Sequence, residues 1–168
     1  MSGAMKKFLD RLSGLNDVLV RWALWLSALG LVAMTAATGW QVFGRYVLND
    51  SPQWVERTAL LLVLYFSFLA GAVGVREESH LGIAFINDML PPVVRKTVMV
   101  AVGAILAAFG GVLFWNGILL VKETWDVATP IIKIPEGATY FAIPFGGILI
   151  VLFALELTLR EILGERSK

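Results

Sequence analysis

Four long runs without a charged residue decide what this chain can fold into. Trp22 to Gly44 is uncharged over 23 positions, Thr58 to Val75 over 18, Thr97 to Val121 over 25 and Gly137 to Leu155 over 19. A helix needs about 20 predominantly apolar residues to cross the hydrocarbon core of a bilayer. The runs therefore predict four transmembrane helices, over about 22–44, 54–75, 97–121 and 137–159. Hydrophobic residues make up 58% of the chain, charged residues 16%, and the mean hydropathy is +0.76, far from the balance of a soluble domain. The expected fold class is an all-α integral membrane protein, four transmembrane helices plus amphipathic interfacial helices in one domain over 1–168.

The joints between the runs are written in turn chemistry. Between the first two lies Asn49-Asp50-Ser51-Pro52: Asn and Asp tolerate unusual backbone angles, and Pro fits the first turn of a helix but not its interior. Ser51 is a candidate N-cap for the second span. Pro91-Pro92 stands before the third run, and each proline pushes its predecessor out of the helical region. Pro144 falls inside the fourth run. Its ring clashes with the carbonyl of Tyr140 and it offers no amide, so with Gly146-Gly147 beside it a kink is expected there.

Two further segments read as interfacial. At the start, Met5, Phe8, Leu9, Leu12, Leu15 and Leu19 recur at helical spacing among Lys6, Lys7, Asp10, Arg11 and Asp17, which predicts an amphipathic lead-in helix over about 5–19. Basic residues ahead of an apolar run also suggest a signal peptide, but a secretory apolar core is only about 7–15 residues long, so a retained span fits better. After the polar stretch Arg76-Glu77-Glu78-Ser79-His80, apolar residues around Asn87 and Asp88 predict a short interfacial helix over about 81–90. Trp22, Trp25, Trp40 and Tyr46 stand where aromatic belts sit at headgroup depth.

Small residues mark expected helix contacts: Gly30, Ala33, Ala36 and Ala37 on the first span, Ser67, Ala70, Gly71 and Gly74 on the second, and Gly103, Ala107 and Gly111 on the third. Orientation follows from lysine and arginine. Ten lie at the N-terminus, in the Arg76 to Lys96 loop and in the tail, against four on the other side, Arg45, Arg57, Lys122 and Lys133. The positive-inside rule then places both termini in the cytoplasm and the Asn49 hairpin outside.

Composition excludes several chemistries. A single histidine, His80, rules out haem held by paired histidines, and the lack of cysteine removes thiol redox chemistry and the usual Cys/His metal sites. A net charge of +1 gives no reason to expect a nucleic-acid partner. A proton-coupled four-span exporter needs an acid buried in a span, and the first run holds none; Glu56 and Glu156 sit near span ends. No internal repeat points to a midplane carrier site. The residues by themselves describe a helper of transport or assembly. The alternatives are an independent small multi-span transporter or channel acting as a homo-oligomer and, from another class, an intramembrane enzyme, for which no nucleophile is evident.

Several motifs, in order and at fixed spacing, resemble one family. They are Gln41-Val42-Phe43-x-Arg45-Tyr46-Val47-Leu48-Asn49-x-Ser51-x-x-Trp54-x-Glu56, Arg76-Glu77-x-x-His80-Leu81, Leu90-Pro91, and Ile134-Pro135-x-x-x-x-Tyr140-x-x-Ile143-Pro144-x-Gly146. The set is similar to the small membrane subunit, DctQ type, of tripartite ATP-independent periplasmic (TRAP) transporters, over about Trp22 to Leu155. One departure is Arg57, where such subunits often carry a second acid after Glu56. The resemblance implies a bacterial inner-membrane complex with a large DctM-type subunit, which carries substrate and sodium, and a periplasmic substrate-binding protein that delivers an organic acid. This chain would brace the large subunit, bind no cofactor or metal of its own, and catalyse no reaction. Partner-interface candidates are Arg45, Asn49, Ser51, Trp54, Glu56, Arg76, His80, Tyr140 and Pro144. Arg45 and Glu56 read either as interfacial anchors or as a pair, across the hairpin or with the large subunit.

Overall fold

The computed structural model describes residues 3–50, 52–87, 91–127 and 134–163. Ser51 lies outside them, as do residues 88–90, Lys133 and the tail after Leu163, and the side chain of His80 is not described. The elements are α1 (Gly3–Val47), α2 (Gln53–Asn87), α3 (Pro92–Thr124), α4 (Glu136–Tyr140) and α5 (Ala142–Leu163). No β-strand occurs among the described residues. Four stretches are long and apolar enough to cross a membrane: Arg11–Val47, Gln53–Arg76, Val94–Thr124 and Glu136–Ile162. The fold is all-α with four membrane-spanning helices.

Two expectations about helix ends need correction. The segment expected as a separate interfacial helix after Arg76–His80 is, as far as Asn87, the continuation of α2, and the amphipathic lead-in is the first part of α1. The 45 residues of α1 make a helix about 68 Å long, more than twice the apolar thickness of a bilayer. Charges end a membrane span because they cost free energy in hydrocarbon, but they do not end a helix. The backbone continues until proline or turn chemistry interrupts its hydrogen bonds.

Where that chemistry exists, the helices end as the sequence predicts. Past α1, Asn49 adopts φ 52°, and the amides of Leu48 and Asp50 both donate to the Gly44 carbonyl at 3.1 Å. Gly44 allows this doubling back, since a Cβ there would lie 2.8 Å from the Asp50 carbonyl oxygen and 3.3 Å from Pro52 Cδ. Pro92 begins α3 directly after Pro91. The fourth run is broken at Phe141, so α4 and α5 are separate helices. The break starts just past Tyr140, whose carbonyl cannot receive an amide from Pro144, since proline has none.

Helix α5 is the centre of the packing. It runs along α3 and also meets α2, and α2 in turn carries α1. Half of the apolar stretch of the fourth span is buried, against 6% of that of the first. Ala23, Leu69, Ala72, Val73, Leu149, Ile150 and Phe153 form the core, drawn from α1, α2 and α5.

Glycines set the closest approach, but in a different register from the one expected. Gly103, Gly110 and Gly117 face α5: a Cβ on Gly103 would collide with Thr158 Oγ1, and Cβ atoms on Gly110 and Gly117 would lie 2.8 Å from the Gly147 oxygen and 2.7 Å from Pro144 Cδ. Gly111, expected on that stripe, has nothing within 4 Å, and neither do Gly71 and Gly74 on α2. The α1 expectation is met at Gly30, where a Cβ would lie 3.3 Å from Phe66 Cδ1.

Candidate functional site

Polar chemistry gathers at the two ends of the bundle. At the end remote from the Asn49 hairpin, α1, α2 and α5 meet around Glu156, which is 3% exposed although it carries a carboxylate. A buried charge is tolerated only when paired and hydrogen-bonded. Here Arg160, one turn along α5, reaches Glu156 Oε1 at 2.8 Å, and Arg76 of α2 approaches the same oxygen at 3.3 Å. Asn16 of α1, fully buried, donates from Nδ2 to Glu156 Oε2 at 2.6 Å.

The surrounding contacts extend this clamp outward. Arg76 also pairs with the exposed Asp17 at 2.6 Å, and its guanidinium lies 6.0 Å from the Phe153 ring centroid. Arg160 donates to Ser13 Oγ, so α5 is tied back to α1 a second time. Lys96 of α3 donates to the Ile162 carbonyl at 3.0 Å, near the end of α5 where free carbonyls carry partial negative charge. Each spanning helix thus contributes a side chain to one interlocked end. The Asn16 Oδ1 has no hydrogen-bond partner among the described residues.

Of the residues expected to matter, Arg76 alone belongs to this clamp. Sequence reading placed Glu156 near a span end and gave no role to Asn16, Asp17, Ser13 or Arg160. One signal was present: Leu9, Leu12, Asn16, Leu19 and Ala23 follow a single helical stripe, and an asparagine in that stripe must be buried where leucine would serve better.

The hairpin end is more open. Arg45, Asn49, Trp54 and Glu56 are exposed, and no ion pair joins Arg45 to Glu56 among the described residues. The pairing across the turn is therefore not formed within the chain: Arg45 precedes the turn by four residues and Glu56 follows it on the first turn of α2, both exposed. Tyr140 lines a hollow with Arg57, Leu60, Leu61, Ile134, Glu136 and Thr139. Beneath it, the Tyr65 hydroxyl donates to the Ala138 carbonyl at 2.7 Å and fastens α4 to α2. Pro144 is buried against Gly117.

The arrangement contains long apolar helices, a charged clamp at one end and exposed apolar flanks, which defines a multi-pass membrane protein. Residues 34–164 match the family described as "Tripartite ATP-independent periplasmic transporters, DctQ component". The chain belongs to that family and is a small permease subunit of the TRAP type, a multi-pass protein of bacterial membranes. It is 27% identical over 127 residues to the sialic acid TRAP transporter small permease protein SiaQ of Vibrio cholerae, covering 75% of this chain and 73% of that one. It is 24% identical to the C4-dicarboxylate TRAP transporter small permease protein DctQ of the same organism, covering 85% of this chain and 72% of that one. It also matches, at 31% identity over 72 residues, 12% of the sialic acid TRAP transporter permease protein SiaT of Haemophilus influenzae and 43% of itself.

Proposed function

We propose that this subunit braces a large DctM-type TRAP permease in the bacterial inner membrane, during sodium-coupled uptake of an organic acid delivered by a periplasmic binding protein. The observation that carries this reading is the 31% identity over 72 residues to a stretch of the much longer TRAP transporter permease protein SiaT, of which it covers 12%. The fold agrees with it. A brace needs apolar surface beyond its own core, and on α1 Trp22, Trp25, Leu29 and Val32 are all more than 60% exposed.

In this reading the substrate and sodium bind the large subunit, and this chain contributes no cofactor, metal site or catalytic group. Arg45, Asn49, Ser51, Trp54, Glu56, His80 and Tyr140 are its candidates for contact with the partner, with Arg76 and Pro144 shaping the helices that make that contact. Both termini face the cytoplasm. The test is co-purification: a tagged chain brings down a much larger multi-span protein in equal amount. Recovery as a monodisperse homo-oligomer that conducts solute by itself overturns the proposal.

A further inference from the structure

The hairpin end holds a groove that shares Glu56 with the proposed partner contacts but otherwise consists of residues those contacts do not use. It is a cavity of about 600 Å³ between α1 and α2, lined by Met34, Gln53, Glu56, Arg57, Ala59, Leu60 and Val63. Its polarity is graded. Gln53, Glu56 and Arg57 stand at its mouth, in the first turns of α2, and Met34, Leu60 and Val63 form its walls further in. From Gln53 to Val63 the helix advances about 15 Å, half of the roughly 30 Å apolar thickness of a bilayer. The groove thus spans one leaflet, charged at headgroup depth and apolar below.

The two charges at the mouth are of opposite sign, neighbours in sequence, and both exposed. Neither forms an ion pair among the described residues. Arg57 also lines the neighbouring hollow beside Glu136 and Tyr140, so it borders both depressions. A guanidinium offers a planar fork of donors suited to phosphate, and a carboxylate accepts from an ammonium. One molecule presents both of these groups above an apolar chain.

We propose that this groove seats one zwitterionic phospholipid, with its phosphate on Arg57, its headgroup ammonium on Glu56, and an acyl chain along Met34, Leu60 and Val63. The seat is built from α1 and α2 alone, and Glu56 is the one residue it shares with the proposed partner contacts. Arg57 supplies the positive half of the headgroup site.

The test is native mass spectrometry on the full chain in mild detergent, titrated with phosphatidylethanolamine and, separately, phosphatidylglycerol. The parent retains one phosphatidylethanolamine in preference to phosphatidylglycerol. Arg57→Gln retains about fivefold less of it, the scale of one lost charge-assisted bond at a wet site. Leu60→Trp fills the groove and lowers retention of both lipids, and Glu56→Gln abolishes the preference between them. Val112→Trp, on the exposed side of α3, changes nothing. Equal retention by the parent, Arg57→Gln and Leu60→Trp overturns the proposal, as does equal binding of the two lipids by the parent. A photo-crosslinking residue at position 60 that captures protein rather than lipid in native membranes also overturns it, by assigning the groove to a partner helix.

Discussion

Asn16 and Glu156 stand 140 positions apart in the sequence and are joined by a 2.6 Å hydrogen bond in a site from which solvent is nearly excluded. That bond and the two arginines make Glu156 the keystone of three helices. Replacing it strands several donors at once. Glu156→Ala is expected to destabilise the chain toward the lower end of about 3–5 kcal/mol, because Arg76 and Arg160 keep some access to water. Asp17, exposed on the rim of the same cluster, is expected to contribute only about 0–1 kcal/mol. Thermal unfolding of both variants in detergent checks this, and equal losses from the two would remove Glu156 from the centre.

The α3 and α5 contact gives a sharper contrast. A Cβ on Gly147 would lie 2.7 Å from the Phe114 amide nitrogen and 2.8 Å from the Gly110 carbonyl oxygen, and neither backbone atom can swing aside. Gly147→Ala is expected to push the helices apart and cost about 1–3 kcal/mol, as overpacking does. Gly111→Ala, with nothing within 4 Å, is expected to leave stability unchanged or slightly raised. The melting temperatures of the two variants in one detergent decide the matter.

That contrast also marks where sequence reading reached and where it stopped. The Asn49 turn, the Pro92 helix start and the break ahead of Pro144 were legible, because each depends on backbone chemistry local to a few residues. The register of the α3 stripe was not. A spacing of four, as in Gly103, Ala107 and Gly111, drifts about 40° around the helix at each step. A spacing of seven, as in Gly103, Gly110 and Gly117, drifts about 20° the other way and follows a long antiparallel partner. Choosing between them requires knowing that α5 is that partner. The clamp was hidden for the same reason, since no local rule connects Asn16 to Glu156. Helix ends at Arg76 were misplaced because polarity marks the membrane surface, and here the helix passes through it.

Orientation rests on lysine and arginine alone. Reporter fusions in the Arg76 to His80 segment and at Lys168 are expected to read cytoplasmic, and fusions after Ser51 or near Lys133 periplasmic. A periplasmic reading at Lys168 contradicts the charge bias, and a periplasmic reading at Lys168 combined with a cytoplasmic N-terminus contradicts an even number of spans.

Arg45 and Glu56 separate two roles that a single substitution confuses. Since neither forms an ion pair among the described residues, Arg45→Ala and Glu56→Ala are each expected to leave the stability of the isolated chain within about 0.5 kcal/mol of the parent. Any loss of co-purified partner should then add between the two, within about 0.3–0.5 kcal/mol, as it does for independent sites. A coupling well above that in a double-mutant cycle on partner yield would mean that the residues meet in the assembled complex.

Pro144 offers the last test, because it acts at two levels. Its ring removes the amide that Tyr140 would otherwise receive, which separates α4 from α5, and its body fills the space left by Gly117, where a Cβ would lie 2.7 Å from Pro144 Cδ. Restoring an amide with Pro144→Ala lets the helix run on from Tyr140 through Phe141. That realigns α4, which is anchored to α2 by Tyr65 and to the end of α3 by Gly137 against the Val121 carbonyl. Membrane insertion depends on the apolar run, which the substitution leaves intact. The expected outcome is normal membrane levels of Pro144→Ala with reduced recovery of the large partner as detergent stringency rises. A second variant, Tyr65→Phe, removes the α2 to α4 hydrogen bond without touching the break, at a cost of about 0.5–1.5 kcal/mol for one such bond. If α4 must be held in place for assembly, both variants lose partner. If Pro144→Ala keeps its partner as well as the parent does, the break serves the packing of α5 on α3 and has no part in the interface.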